Sequence, residues 1–434
     1  MQENIEKLYK ITGKDPDLDY VASFCPGRIS FSKHSDYINN DLLYIADSRG
    51  TYILSESKKN SKGKLELLNH DEKFQNKSFD LKNLNLKEKE SWDFYIRKLL
   101  ILLSERYELN FSDYDLKIAV SSTIPKASGL SSSHSLILST LINLIKVFKL
   151  EIKEAVTLIK ICQEVEQARG FQSGLGDQAA QLLSKEGKIL NLKLSPILEY
   201  NYTDIPDELS IITAPSFIKA DKSLPEFKAA NENIKIYKEL NKKIAEKENL
   251  HFLGNLLYKY SDKEILNLLK REEAHLTRKE IGLALYGLSE GARAKELKEN
   301  FTIQKLGQYL NRSHLAEQNY EYSQNGWQRF NEEGNFELNL EKPLIDHIGI
   351  YSASTLANDQ LQYYANQLDI VYGSSISGAG LGGNNIIVCK KGYEEKLIEH
   401  LIEKFYKPIG LSSKARNENF GIHIVKSSDG AKLL

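Results

Sequence analysis

Apolar and polar positions alternate in two periods along this chain. Leu116, Ile118 and Val120 alternate with polar or small residues, the period-2 pattern of a half-buried strand. Leu42 to Leu54 and Lys64 to Leu68 also read as strands, as do Leu190 to Leu194 and Leu209 to Ala214. Trp92, Tyr95, Leu99 and Leu102 repeat at helical spacing within Trp92 to Arg106. Leu136 to Phe148 is apolar on nearly every side and predicts a buried helix. Ile152, Ala155, Val156, Ile159, Cys162 and Val165 predict an amphipathic one. Polar Ser55 to Gly63 reads as an exposed turn, and Asn69 to Glu90 as a long connection.

The second half changes character. No proline occurs from Glu226 to Lys342 and charge is dense, which predicts a run of helices, with Gly254, Gly291 and Gly307 as turns or ends. Ser374 to Val388 passes from a glycine loop into a strand. Leu397, Leu401 and Phe405 mark a helix, and Ile422 with Ile424 a last strand. The order predicts an α+β protein, with a domain boundary near Asn201 to Pro206.

Length and charge narrow the class. The 434 residues suffice for two or three domains, and 58 basic against 59 acidic residues leave a net charge of −1. That balance gives no reason to expect nucleic acid or an acidic membrane as partner. No apolar run reaches the roughly 18 residues of a membrane span. Met1 is followed by polar residues, and Cys25, Cys162 and Cys389 are sparse and far apart. The expectation is a reduced, cytoplasmic protein.

Candidate chemistry lies in four clusters. Lys126-Ala127-Ser128-Gly129-Leu130-Ser131-Ser132-Ser133-His134 falls between a predicted strand and a predicted helix. Small residues there allow close backbone approach to an anion, which helix-start N–H groups can hold. The others are Cys25-Pro26-Gly27-Arg28 with Lys33-His34-Ser35-Asp36-Tyr37, Glu166 with Gly170 to Gln178, and Ser377-Gly378-Ala379-Gly380-Leu381-Gly382-Gly383. Asp177 alone reads more readily as a helix-capping residue than as a catalytic one.

Taken in order, these clusters resemble the motifs of the GHMP small-molecule kinases, in particular the galactokinase branch. PGRISFSKHSDY is similar to the opening sugar motif, Pro125 to His134 to the ATP loop, Gly170 to Gln178 to GxxCGxxDQ, and SGAGLGG to the third glycine loop. Leu310 to His314 and Tyr320 to Ser323 echo a further galactokinase phrase. The resemblance implies a two-domain α+β fold, residues 1–205 and 206–434, with the active-site cleft between the domains and a helical insertion in the second. It implies ATP- and Mg²⁺-dependent phosphorylation of the anomeric hydroxyl of galactose or a similar sugar by a monomer.

By the same resemblance Asp177 is the catalytic base and Arg28 its partner. Lys33, His34, Asp36, Gly176 and Phe227 fall at sugar-binding positions. Lys126, Ser128, Gly129, Leu130, Ser131, Ser132, Ser133, Gly378 and Gly380 fall at nucleotide-binding positions, and Ser132 with Glu166 at the Mg²⁺ position. The chain departs from the pattern in places. One residue is missing between Arg28 and His34, and Lys33 stands where the family has Glu. His134 replaces a small residue, Phe227 a tyrosine, and Gly326 to Ile348 reads as an insertion. Lys33 raises the alternative of a sugar carrying a carboxylate at C6, such as galacturonate; a pentose and a non-catalytic sugar/ATP sensor are further alternatives.

Overall fold

A computed structural model describes residues 2–13, 19–34, 36–59, 62–125, 128–170, 173–194, 197–218, 225–329 and 336–434, with side chains of the 225–240 helix described from residue 231. The strands are β1 (Tyr20–Ser30), β2 (Leu42–Lys59), β3 (Lys64–Asn69), β4 (Lys77–Asp80), β5 (Tyr114–Ser122), β6 (Lys188–Lys193), β7 (Glu199–Asp204), β8 (Leu209–Pro215), β9 (Tyr320–Ser323), β10 (Gly326–Arg329), β11 (Val371–Ile376), β12 (Asn384–Lys390), β13 (His423–Ile424) and β14 (Lys432–Leu433). The α-helices are α1 (Gln2–Thr12), α2 (Phe94–Tyr107), α3 (Ser132–Val147), α4 (Ala155–Gln167), α5 (Gly176–Leu183), α6 (Pro225–Leu240), α7 (Leu256–Lys259), α8 (Asp262–Glu272), α9 (Arg278–Glu299), α10 (Ile303–Glu317), α11 (Leu356–Ala365), α12 (Glu394–Leu401) and α13 (Ser412–Ala415).

One sheet runs β14-β1-β2-β5-β3-β4, with β6 and β7 attached to the early part of β2. Only β3 and β5 pair in parallel within it. A second, antiparallel sheet runs β11-β12-β8-β13. The strand β8 opens the second sheet immediately after β7 closes the first, near the predicted boundary. The last strand, β14, returns to the first sheet beside Ser23 and Phe24 of β1.

The predicted periodicities translate into packing. Leu116, Ile118 and Val120 of β5 meet Leu99 and Leu103 of α2, Leu138 and Leu141 of α3, and Cys162 of α4 in one buried cluster. Helices α6 to α9 enclose a second, around Leu253, Leu266, Leu285 and Tyr351. A third lies between the sheets, where Ile29, Phe31 and Leu130 meet Ile211, Leu306 and Ile386. Burying such side chains contributes roughly 1.5–3 kcal/mol each.

Several expectations change. Part of the predicted Ser55 turn is strand, because β2 continues to Lys59 against β5. The polar connection after Asn69 contains β4, an exposed edge strand on β3. Gly291 and Gly307 lie inside helices, not at their ends. A Cβ on Gly291 would sit 2.4 Å from Asn40 Cγ, and one on Gly307 2.2 Å from the Tyr372 carbonyl oxygen. These glycines permit close packing rather than a turn. The helical run stops at Glu317, where the hairpin β9–β10 begins.

Candidate active site

Arg28 stands just past a register shift between Pro26 and Gly27 in the β1–β2 pairing. Its backbone N–H donates to the Leu130 carbonyl at 3.2 Å, so β1 and the serine loop touch directly. Its guanidinium then turns to Asp177. Nε donates to Oδ1 at 2.7 Å and Nη2 to Oδ2 at 2.6 Å, a two-pronged ion pair. Nη1 donates to the Gly129 carbonyl at 2.5 Å.

Asp177 lies in the first turn of α5, behind Leu175, with 28 % of its side chain exposed. Burial alone would raise its carboxyl. The Arg28 charge and hydrogen bonds win and lower it to about 2, so it is ionised at neutral pH. Ser131 Oγ also donates to Oδ2. The Ser131 hydroxyl is therefore turned to the carboxylate.

The serine loop is shaped by two left-handed residues, Gly129 (φ 73°) and Ser131 (φ 59°). A Cβ on Gly129 would lie 2.7 Å from the Ser377 carbonyl oxygen. The third glycine loop clasps the serine loop. Ser377 Oγ donates to the Gly129 carbonyl at 3.0 Å and Asn384 Nδ2 to the Ser128 carbonyl at 2.7 Å. Gly378 places its Cα beside the Arg28 guanidinium, whereas Gly380 packs on the Ala353 carbonyl. Helix α3 starts at Ser132 with no side-chain cap, leaving its first N–H groups for an anion. Leu130 is buried beneath the loop in the inter-sheet core. Lys126 lies outside the described residues.

Ser133, not Ser132, meets Glu166: its Oγ donates to Oε1 at 3.2 Å. Glu166 is 7 % exposed, and its Oε2 is buried without a partner. A hydroxyl beside an unsatisfied buried carboxylate oxygen fits one side of a Mg²⁺ shell. Among the described residues no group of three His, Cys, Asp or Glu forms a complete metal site. Phosphate oxygens and water would have to supply the remaining ligands.

The sugar-motif residues surround a 180 Å³ cavity lined by Arg28, His34, Asp36, Tyr44, His134 and Asp177, among others. Asp36 accepts the Gly176 N–H; burial, then the neighbouring Asp177, pushes its carboxyl up to about 6. A Cβ on Gly174 would lie 1.7 Å from Asp36 Oδ2, so the glycine makes room for that carboxylate. Gly176 likewise leaves space for the Tyr44 hydroxyl, 2.3 Å from where a Cβ would be. His34 has a left-handed backbone (φ 53°) and stacks on Tyr351 with centroids 3.7 Å apart. Burial holds its imidazole well below the usual range, so it is neutral.

Lys33 lines the same cavity. Its side chain is fully buried, with Nζ 3.3 Å from Glu317 Oε2 and bonded to Ser375 Oγ. The ammonium already has a carboxylate partner inside the protein. Phe227 falls on α6, but its side chain lies outside the described residues. His314 is buried 3.1 Å from Asp359 beneath the β9 connection, a structural place.

Sequence reading missed Tyr44, Ser173 and Glu317. Tyr44 reads as one more alternating strand residue. Ser173 Oγ donates to the Gly174 carbonyl at 3.1 Å and faces His134 Nε2 at 3.2 Å. Glu317 is the last residue of α10, three positions beyond the Leu310 to His314 phrase.

Residues 95–185 match the family model described as the GHMP kinases N terminal domain. A protein of Fusobacterium nucleatum named galactokinase is 25 % identical over 96 % of this chain and 97 % of its own length. Another of that name, from Clostridium acetobutylicum, is 26 % identical over 95 % and 94 %. The crystal structure of Lactococcus lactis galactokinase complexed with galactose superposes with a TM-score of 0.77 at 21 % identity, covering 99 % of this chain and 98 % of that one. Methanococcus jannaschii mevalonate kinase shares the fold more distantly, with a TM-score of 0.55. No described helix is long and apolar enough to cross a membrane.

Proposed function

We propose that this chain, a galactokinase-like GHMP kinase, transfers the γ-phosphoryl group of ATP to the anomeric hydroxyl of galactose, giving the sugar 1-phosphate. The observation that carries the reading is the Arg28–Asp177 pair on the wall of the cavity formed by the sugar motif, one hydrogen bond from the serine loop. The names of the full-length relatives support it.

The residues divide the work. Asp36 and His34 hold the sugar hydroxyls. Asp177 orients the attacking hydroxyl and takes its proton as the bond to phosphorus forms. A carboxylate near 2 is too weak a base to ionise a sugar hydroxyl beforehand, so the proton moves with or after phosphoryl transfer. Arg28 keeps that carboxylate aligned. Ser128, Gly129 and the start of α3 cradle the phosphates. Ser133 and Glu166 would hold a Mg²⁺ ion, which would supply charge neutralisation at the phosphates. The whole set comes from one chain, so a monomer suffices.

A sugar panel assayed for ADP release, with ³¹P spectra of the product, tests the reading. Galactose should be preferred and yield an anomeric phosphate. No turnover above background, or phosphate on another carbon, would defeat it. The sensor alternative predicts binding without ADP; the aligned Asp177 and the open Glu166 oxygen speak against it.

A further inference from the structure

At the cavity wall, which Lys33 helps to line, lies a buried charge cluster that the transfer chemistry does not use. Glu317 ends α10, where a carboxylate faces the negative end of the helix dipole. It is fully buried. Such a residue is costly unless a cation and hydrogen bonds compensate it. Lys33 provides the cation at 3.3 Å, and the Tyr286 hydroxyl donates to Oε1 at 2.7 Å. Ser375 of β11 accepts from the same ammonium.

The cluster ends at a cavity residue. His34 Nε2 is buried with no hydrogen-bond partner, and the carboxylate oxygen it faces is Glu317 Oε1 at 3.5 Å. Tyr351 stacks on one face of the imidazole and also packs at 5.2 Å against Tyr286. The left-handed backbone of His34 is disfavoured for a residue with a Cβ and persists only where its surroundings hold it.

We propose that Glu317 is a positioning residue for the sugar site: paired with Lys33, it orients the His34 ring and keeps its proton on Nε2. The other ring nitrogen is then an acceptor for a sugar hydroxyl. Lys33 acts as the counter-ion that lets Glu317 be buried there, not as a sugar ligand. That His34 touches the sugar rests on the kinase reading above; the Glu317–His34 relation does not.

The experiment therefore has a readout free of substrate. Long-range ¹H–¹⁵N spectra of ¹⁵N-histidine protein, with His34→Asn to assign the signals, report the tautomer. Wild type should carry its proton on Nε2, and Glu317→Gln should give a mixed population. In the same variant the galactose KM should rise about tenfold, the scale of one lost polar contact, with the ATP KM nearly unchanged. Lys33→Met/Glu317→Leu replaces the ion pair by apolar groups, a change that need not cost stability. It should melt near wild type yet show the same rise in galactose KM. An unchanged His34 tautomer together with an unchanged galactose KM, in either folded variant, overturns the proposal. If wild type ignores galactose, the substrate reading falls and the tautomer alone decides this one.

Discussion

Arg28 and Asp177 are 149 residues apart in sequence and meet through two near-parallel hydrogen bonds of 2.7 and 2.6 Å. The fork geometry matters as much as the charge, because a guanidinium orients a carboxylate and an ammonium does not. Asp177→Asn should lower kcat by roughly 100-fold or more while ATP binding, measured by calorimetry, persists. Arg28→Lys should also lower kcat, since it loses the fork and the bond to Gly129. Near-normal turnover in a pure Asp177→Asn preparation would remove the base assignment.

Ser133 and Ser132 separate cleanly in a metal titration. Ser133→Ala and Glu166→Ala should each raise the Mg²⁺ concentration needed for half-maximal rate, with little effect on galactose KM. Ser132→Ala should raise it less. Mn²⁺ binding to the ADP complex, followed by electron paramagnetic resonance, gives the same comparison without turnover. Equal effects from the two serines would contradict the Ser133–Glu166 contact at 3.2 Å.

Gly174 has no conformational reason to be glycine, since its φ is not positive, but it has a steric one. A methyl group there would fall 1.7 Å from Asp36 Oδ2 and 2.5 Å from its Cγ. Gly174→Ala should push the carboxylate aside and raise galactose KM several-fold, while the thermal midpoint drops by no more than a few degrees. An unchanged galactose KM would mean that Asp36 does not read the sugar.

The pocket carboxylates respond to pH in opposite senses. Asp36, raised to about 6, adds stability that is complete below its usual 3.8 and is lost as pH rises through 6. Asp177, lowered to about 2, adds stability present above 3.8 and lost as pH falls toward 2. Sugar hydroxyls need Asp36 ionised, so galactose KM should rise as pH falls below about 6 and flatten in Asp36→Asn. A break that survives in that variant belongs to Glu317, whose burial pushes it to about 7 against the pull of Lys33.

The contiguous parts of this molecule were legible before any coordinates. Period-2 alternation at Leu116 to Val120 and the apolar run from Leu136 correspond to β5 and α3 with shifts of a few residues. The motif residues Arg28, Asp36 and Asp177 do converge. What stayed hidden depends on distant segments. Lys33 reads as an unpaired cation only while Glu317, 284 residues later, is left out. Ser132 and Ser133 are indistinguishable until the helix sets which of them faces α4. Gly291 and Gly307 resemble helix ends because composition carries no record of which neighbour packs against them.

The Gly129 carbonyl oxygen accepts one hydrogen bond from Arg28 and another from Ser377, residues 101 and 248 positions away. One peptide group is thus the joint at which three remote stretches are pinned. Cutting the chain between Asp204 and Leu209 would send Ser377, Asn384 and the β14 strand that closes on β1 into one piece, and the serine loop with β1 into the other. Neither piece would hold a shaped nucleotide loop. Turnover from the mixed pieces would then report their reunion, which makes this protein a candidate scaffold for a split reporter read out by ADP.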